Sequence, residues 1–155
     1  MADAVKRFFS SPRFAVAGAS NDPRKFGYKI LAWYHQHSLP VTPINPRADK
    51  INLSSTEYQA VASPSALQEP ENTSLSLVTP PPVSLEVLKD AHSVGIRAVW
   101  LQPGTYDNAV LDYARKNFEA AIGGEGGAGS EGWCVLVDGE RGLESAGRAW
   151  TAQKL

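Results

Sequence analysis

Apolar residues recur along this chain at two spacings, and the two alternate. Phe14-Ala15-Val16-Ala17-Gly18 is a short continuous run, which suits a strand buried on both faces of a parallel sheet. Beyond a polar loop, Phe26, Ile30, Leu31 and Tyr34 share one helical face, and Pro40 ends that helix. Val41-Thr42-Pro43-Ile44-Asn45 reads as a second strand closed by Pro46. Pro43 inside it predicts a bulge or a strand end. Residues 47–73 carry little pattern; a short strand near Tyr58–Val61 and one helical turn at Pro64–Leu67 are the elements they suggest. Leu75-Ser76-Leu77-Val78-Thr79 is a strand stopped by Pro80-Pro81-Pro82. Val83, Val87, Leu88, Ala91 and Val94 then form a helical stripe, with Gly95 as its stop. Ala98-Val99-Trp100-Leu101 is a further strand, and Tyr106, Ala109, Val110, Tyr113 and Ala114 keep the spacing of a helix. Ala120-Ala121-Ile122 and Cys134-Val135-Leu136-Val137 read as the last short strands.

Strands alternating with helices of about a dozen residues specify βαβ units with right-handed crossovers. The expected fold is a Rossmann-like α/β domain of three layers. Its mainly parallel sheet has order 3-2-1-4-5, with helices on both faces. Residues 1–140 form this domain, and 141–155 form a tail that is polar apart from Leu143 and Trp150. The glycine-rich segment 123–132 between the last two strands reads as a mobile loop.

Composition narrows the class further. A chain of 155 residues is ordinarily one domain with a core of adequate size. A formal net charge of −1 offers nothing to a nucleic acid, and no apolar run approaches the ~18 residues of a membrane span. The segment from Met1 to Phe9 has neither the apolar stretch of a secretory signal nor the acid-poor character of a transit peptide. With one cysteine, Cys134, there is no internal disulfide and no thiolate zinc cluster. A soluble cytoplasmic protein is the expectation.

In sheets of this kind ligands bind beyond the carboxyl ends of the strands, where the strand order reverses. The loop after the first strand, Gly18-Ala19-Ser20-Asn21 through Lys25, combines a glycine for close approach, a following helix N-terminus and a cation. That is a phosphate site in outline, although an ordinary βα turn would also satisfy the residues. It lacks the second glycine of G-x-G-x-x-G, since Ser20 stands there, and it has no Gly-Lys-Ser/Thr of a P-loop. At the end of the second strand Asn45-Pro46-Arg47 supplies no carboxylate for the ribose hydroxyls of NAD. Arg47 favours a phosphorylated ribose, as in NADP or coenzyme A.

The sequence here resembles the small stand-alone CoA-binding domain proteins, which are similar to the N-terminal domain of the succinyl-CoA synthetase alpha subunit. The resemblance rests on Ala15-Val16-Ala17-Gly18-Ala19-Ser20 with the Pro23 to Tyr28 loop and on Val41-Thr42-Pro43-Ile44-Asn45-Pro46. Val78-Thr79-Pro80-Pro81 and Ala98-Val99-Trp100-Leu101-Gln102-Pro103-Gly104 follow in the family's order, with Cys134 near the end, over roughly residues 8–138. It implies that Gly18, Ala19, Ser20 and Asn21 cradle the pyrophosphate with Lys25 nearby. Asn45, Pro46 and Arg47 would meet the adenosine end. Thr79, Pro80 and Pro81 would line the groove, and Gln102 and Gly104 would flank the pantetheine path. Two departures stand out. The 123–132 segment replaces a short connection, and the synthetase's phosphohistidine domain is absent, so its ligase chemistry does not carry over.

Other chemistry is thinly represented. Ser20 lacks the glycine that a nucleophile elbow needs two residues on, where Asp22 stands. His35, His37 and His92 fall in predicted helices and read as surface or cap residues, and the spacing of the first two argues against a metal pair. Cys134 reads as a small buried hydrophobe. Its functional alternative, a redox partner for the CoA thiol, requires exposure beside the pantetheine end. The four tryptophans are too dispersed for a nucleic-acid platform. The expected function is binding of coenzyme A or an acyl-CoA by a non-catalytic binding or regulatory protein. The alternatives are an NADP-binding oxidoreductase or sensor, for which no Tyr-x-x-x-Lys is present after Tyr28, and an interaction module without ligand.

Overall fold

A computed structural model describes all 155 residues. The first strand, β1 (Arg13–Ala17), lies between β2 (Val41–Ile44) and β5 (Thr73–Leu77), both parallel to it. β6 (Ala98–Leu101) and β7 (Ala120–Ile122) extend the sheet, giving the order β2-β1-β5-β6-β7, all parallel. Helices α1 (Ala2–Phe9), α2 (Phe26–Gln36) and α5 (Val135–Ser145) pack on one face, and α3 (Pro81–Ser93) and α4 (Asn108–Asn117) on the other. This is the Rossmann-like α/β class expected from the strand–helix alternation.

The order differs from 3-2-1-4-5 at both ends. On the β2 side, the expected third strand around Tyr58–Val61 is instead β4 (Thr56–Gln59), paired antiparallel with β3 (Lys50–Leu53) in a separate hairpin. Of this region only Val61 pairs with the main sheet, through a single parallel bridge to Ile44. On the other side β7 is added. Pro43 sits in the edge strand, neither in a bulge nor at a strand end. Its carbonyl accepts the N–H of Val61, outside the sheet, so the missing proline N–H faces outward and no ladder bond is lost.

The expected last strand at Cys134–Val137 is a helix. Cys134 is the N-cap of α5, and Asp138 reaches back to accept the Cys134 N–H at 3.0 Å, much as a capping box does. The buried stripe is Val135, Asp138, Gly139, Gly142 and Leu143. A Cβ on Gly139 would stand 2.3 Å from Trp33, and one on Gly142 would stand 2.6 Å from Phe9. The helix lies this close because those positions are bare, which also removes the apolar residues that would have announced it.

The strand faces sort the core. Phe14, Val16, Trp100 and Ile122 join Phe8, Phe9, Tyr34 and Trp33 in one cluster, while Ala15, Ala17, Leu75, Leu77, Val99 and Leu101 form the other with Leu88 and Val110. In β5 the aromatic face carries Ser74 and Ser76, fully buried. Ser76 Oγ lies 2.7 Å from Tyr34 Oη, and Ser74 Oγ donates to the Phe8 carbonyl at 2.7 Å. Small, hydrogen-bonded residues leave room there for the large rings.

His35 and His37 are not surface residues. Both are buried at the end of α2. His35 contacts the Tyr58 hydroxyl and the Lys154 carbonyl, and His37 the Trp33 carbonyl and the Glu140 carboxylate. The polar tail makes them so. Trp150 packs over the His37 ring, Gln153 N–H donates to Gln36, and Ser55 N–H donates to Leu155. α5 itself runs through position 140. No helix is long and apolar enough to cross a membrane.

Candidate functional site

At the carboxyl ends of β2, β1 and β5 lies a groove of about 710 Å³. Gly18 forms its floor with φ +89°, a left-handed conformation that glycine adopts without strain. A Cβ there would lie 3.0 Å from the Val78 backbone. Above it, α2 starts at Phe26 with Lys25 as its extended N-cap, so the first turn's N–H groups open toward the loop. Gly27 makes the approach possible, since its Cβ would sit 2.0 Å from the Gly18 carbonyl oxygen. Sequence reasoning missed Gly27; its signal is a glycine in the first helical turn of a βα unit.

The groove brings together nine expected residues: Gly18, Ala19, Ser20, Lys25, Asn45, Pro46, Arg47, Thr79 and Pro80. Asn45 ties two strand ends together, donating to the Ala19 carbonyl at 2.8 Å and accepting the N–H groups of Arg47 and Ala48. Ser20 Oγ accepts the Asp22 N–H at 3.0 Å. Thr79 Oγ1 lies 2.7 Å from Ser84 Oγ, fixing the start of α3. Neither Lys25 nor Arg47, the two cations of the groove, forms a salt bridge. Glu86 and Asp90 close the α3 side of the groove, and Asp90 is held by the Ser65 N–H.

Four expected residues stand outside this lining. Asn21 spends its amide on the hairpin, donating to the Lys50 carbonyl at 3.0 Å and accepting from Asn52 at 2.7 Å. Pro81 is the first residue of α3, and Gly104 turns the chain after β6 with φ +87°. Gln102 belongs to a second cavity of about 310 Å³ along the same sheet edge. There it stands with Phe26, Ile30, Pro103, Leu136 and the half-exposed Cys134. Burial, with some contribution from the carboxylates of Asp138 and Glu131, pushes the Cys134 thiol above its ordinary range, which keeps it protonated.

Over residues 12–128 the chain matches the family described as the CoA binding domain. The chain belongs to the CoA-binding domain family. That agrees with the resemblance carried by the β1, β2, β5 and β6 ends, and it favours CoA over NADP as the nucleotide. Among curated proteins none matches the chain. Solved structures similar to this CoA-binding domain include a conserved hypothetical protein from Pyrococcus furiosus. It shares 27% identity over 81% of this chain and 97% of that one, with a TM-score of 0.68. A protein from Thermus thermophilus has 24% identity over 79% and 90% of the two chains, with a TM-score of 0.66. A hypothetical protein from Pyrococcus horikoshii has 18% identity over 92% of both and a TM-score of 0.73. The last two bear on the fold alone.

Proposed function

We propose that this protein binds coenzyme A or an acyl-CoA as a non-catalytic binding or regulatory protein, with the nucleotide end in the groove across β2, β1 and β5. The observation that carries the reading is the Gly18 floor beneath the α2 N-terminus, flanked by the unpaired Lys25 and Arg47. Bare backbone, a helix dipole and two cations are what a pyrophosphate and a ribose phosphate require. The rest of the wall, with Pro46, Thr79, Pro80 and Val83, suits a thin pantetheine arm and offers few donors for a nicotinamide carboxamide.

A thermal-shift series tests this. CoA raises the melting temperature clearly more than NADP at equal concentration, because stabilisation follows ligand concentration over dissociation constant. Dephospho-CoA falls between them by about 1–3 kcal/mol, through loss of a charge-assisted contact to Arg47. Stabilisation by NADP without stabilisation by CoA reverses the assignment.

A further inference from the structure

Resting on the CoA reading of the groove, we propose that the second cavity receives the acyl group of a short, uncharged acyl-CoA, whose thioester carbonyl accepts a hydrogen bond from Gln102. The cavity lies at the end of β6, two strands from Gly18, roughly 10 Å at ordinary strand spacing. An extended pantetheine arm spans that distance. Lys25 lines the groove and its neighbour Phe26 lines the cavity, so the two spaces meet at the start of α2.

Two independent observations point to an occupant. Gln102 is 2% exposed, and its Oε1 accepts the Val135 N–H at 2.9 Å, which fixes the orientation of the amide. Its Nε2 is then a buried donor with no partner, the only such side-chain atom in the protein. Buried polar groups are nearly always satisfied, and the residue that carries this one lines the cavity. The second observation is apolar. Of six exposed large hydrophobic residues, three (Phe26, Leu136 and Val137) line this cavity. Phe26 shares its helical stripe with the buried Ile30, Leu31 and Tyr34, yet it is 54% exposed. Such a gathering on a soluble surface marks a ligand site.

The same wall selects the ligand. A volume of about 310 Å³ is small for a ligand pocket and suits a few carbons, not a fatty chain. The only charged residue is Glu131, and no cation lines the cavity, so an acyl group ending in a carboxylate is disfavoured. The protonated Cys134 thiol adds another weakly polar wall.

Calorimetry with CoA, butyryl-CoA and succinyl-CoA tests the inference. Butyryl-CoA binds on the order of tenfold tighter than CoA, from burial of its carbon chain, and succinyl-CoA gains nothing. Gln102→Glu keeps an acceptor for the Val135 N–H but removes the donor, and it brings the butyryl-CoA to CoA affinity ratio back toward one. Leu136→Trp, at a 38% exposed position that does not threaten the fold, fills the cavity and does the same. If CoA binds and butyryl-CoA binds no tighter, or if Gln102→Glu weakens both ligands equally, the acyl site is overturned and the CoA groove stands. If no CoA species binds, both readings fall.

Discussion

Single positions shape the groove at the ends of β1 and β5. Gly18 is left-handed and packed against the Val78 backbone, so Gly18→Val costs roughly 1–3 kcal/mol of stability and obstructs the groove. CoA affinity measured on the folded variant falls tenfold or more, on the order of one lost charge-assisted contact. Wild-type affinity in folded Gly18→Val removes the pyrophosphate from this loop. The place of Gly18 in the fold was legible because a glycine ending an apolar run marks the turn out of a buried strand. The partners of Asn21 were not legible. It stands where a phosphate loop would place it, but its partners Lys50 and Asn52 lie in a hairpin that residues 47–73 do not announce.

Elements were legible where their buried positions are large and apolar. β1, β6 and α4 keep apolar residues at their buried positions, and the groove could be located from the end of β1. α5 did not, because Gly139 and Gly142 hold stripe positions and Asp138 holds another. α1 escaped too, although its Phe8 and Phe9 are buried in the core. The glycine-rich segment 123–132 forms neither helix nor strand, in keeping with its composition, yet it is tethered. Asp138 Oδ1 accepts the Ala128 N–H at 2.8 Å, and the Gly124 carbonyl accepts from Trp133. Asp138→Ala therefore releases the segment and frays the start of α5, at about 1–2 kcal/mol, the scale of a lost helix cap. Hydrogen exchange checks it: amides of 128 and 134 lose protection while β1 and β5 keep theirs. Unchanged protection at 128 and 134 shows that the carboxylate holds nothing.

Across the whole molecule, several weakly acidic groups are withheld from solvent. Burial raises the Tyr34 phenol strongly, with the Ser76 hydrogen bond opposing it, and raises Tyr58 and Cys134 as well. Each folded-state value lies above its unfolded one. Their stabilising contribution is present below the ordinary thiol and phenol range and is lost as pH climbs through it. The slope is at most about 1.4 kcal/mol per pH unit per fully withheld group, less for the half-buried Tyr58 and Cys134. The urea midpoint thus falls between pH 8 and pH 11, and Cys134→Ala flattens the earlier part of the fall. A midpoint that holds or rises contradicts the burial. The last residues join this body rather than trail from it, since Arg148 donates to the Phe9 and Ser11 carbonyls and lies over the Phe14 ring.

The Asp138 tether also shapes the tempo of recognition. Gly129 to Gly132 form the outer wall of the cavity, and a carboxylate inside α5 anchors the chain just before them, at the Ala128 N–H. No disordered strand of chain has to be gathered at the moment of encounter. Association then proceeds in one kinetic phase at an ordinary rate, about 10⁵–10⁷ M⁻¹s⁻¹, and ligands that differ in their acyl group are told apart by how long they stay.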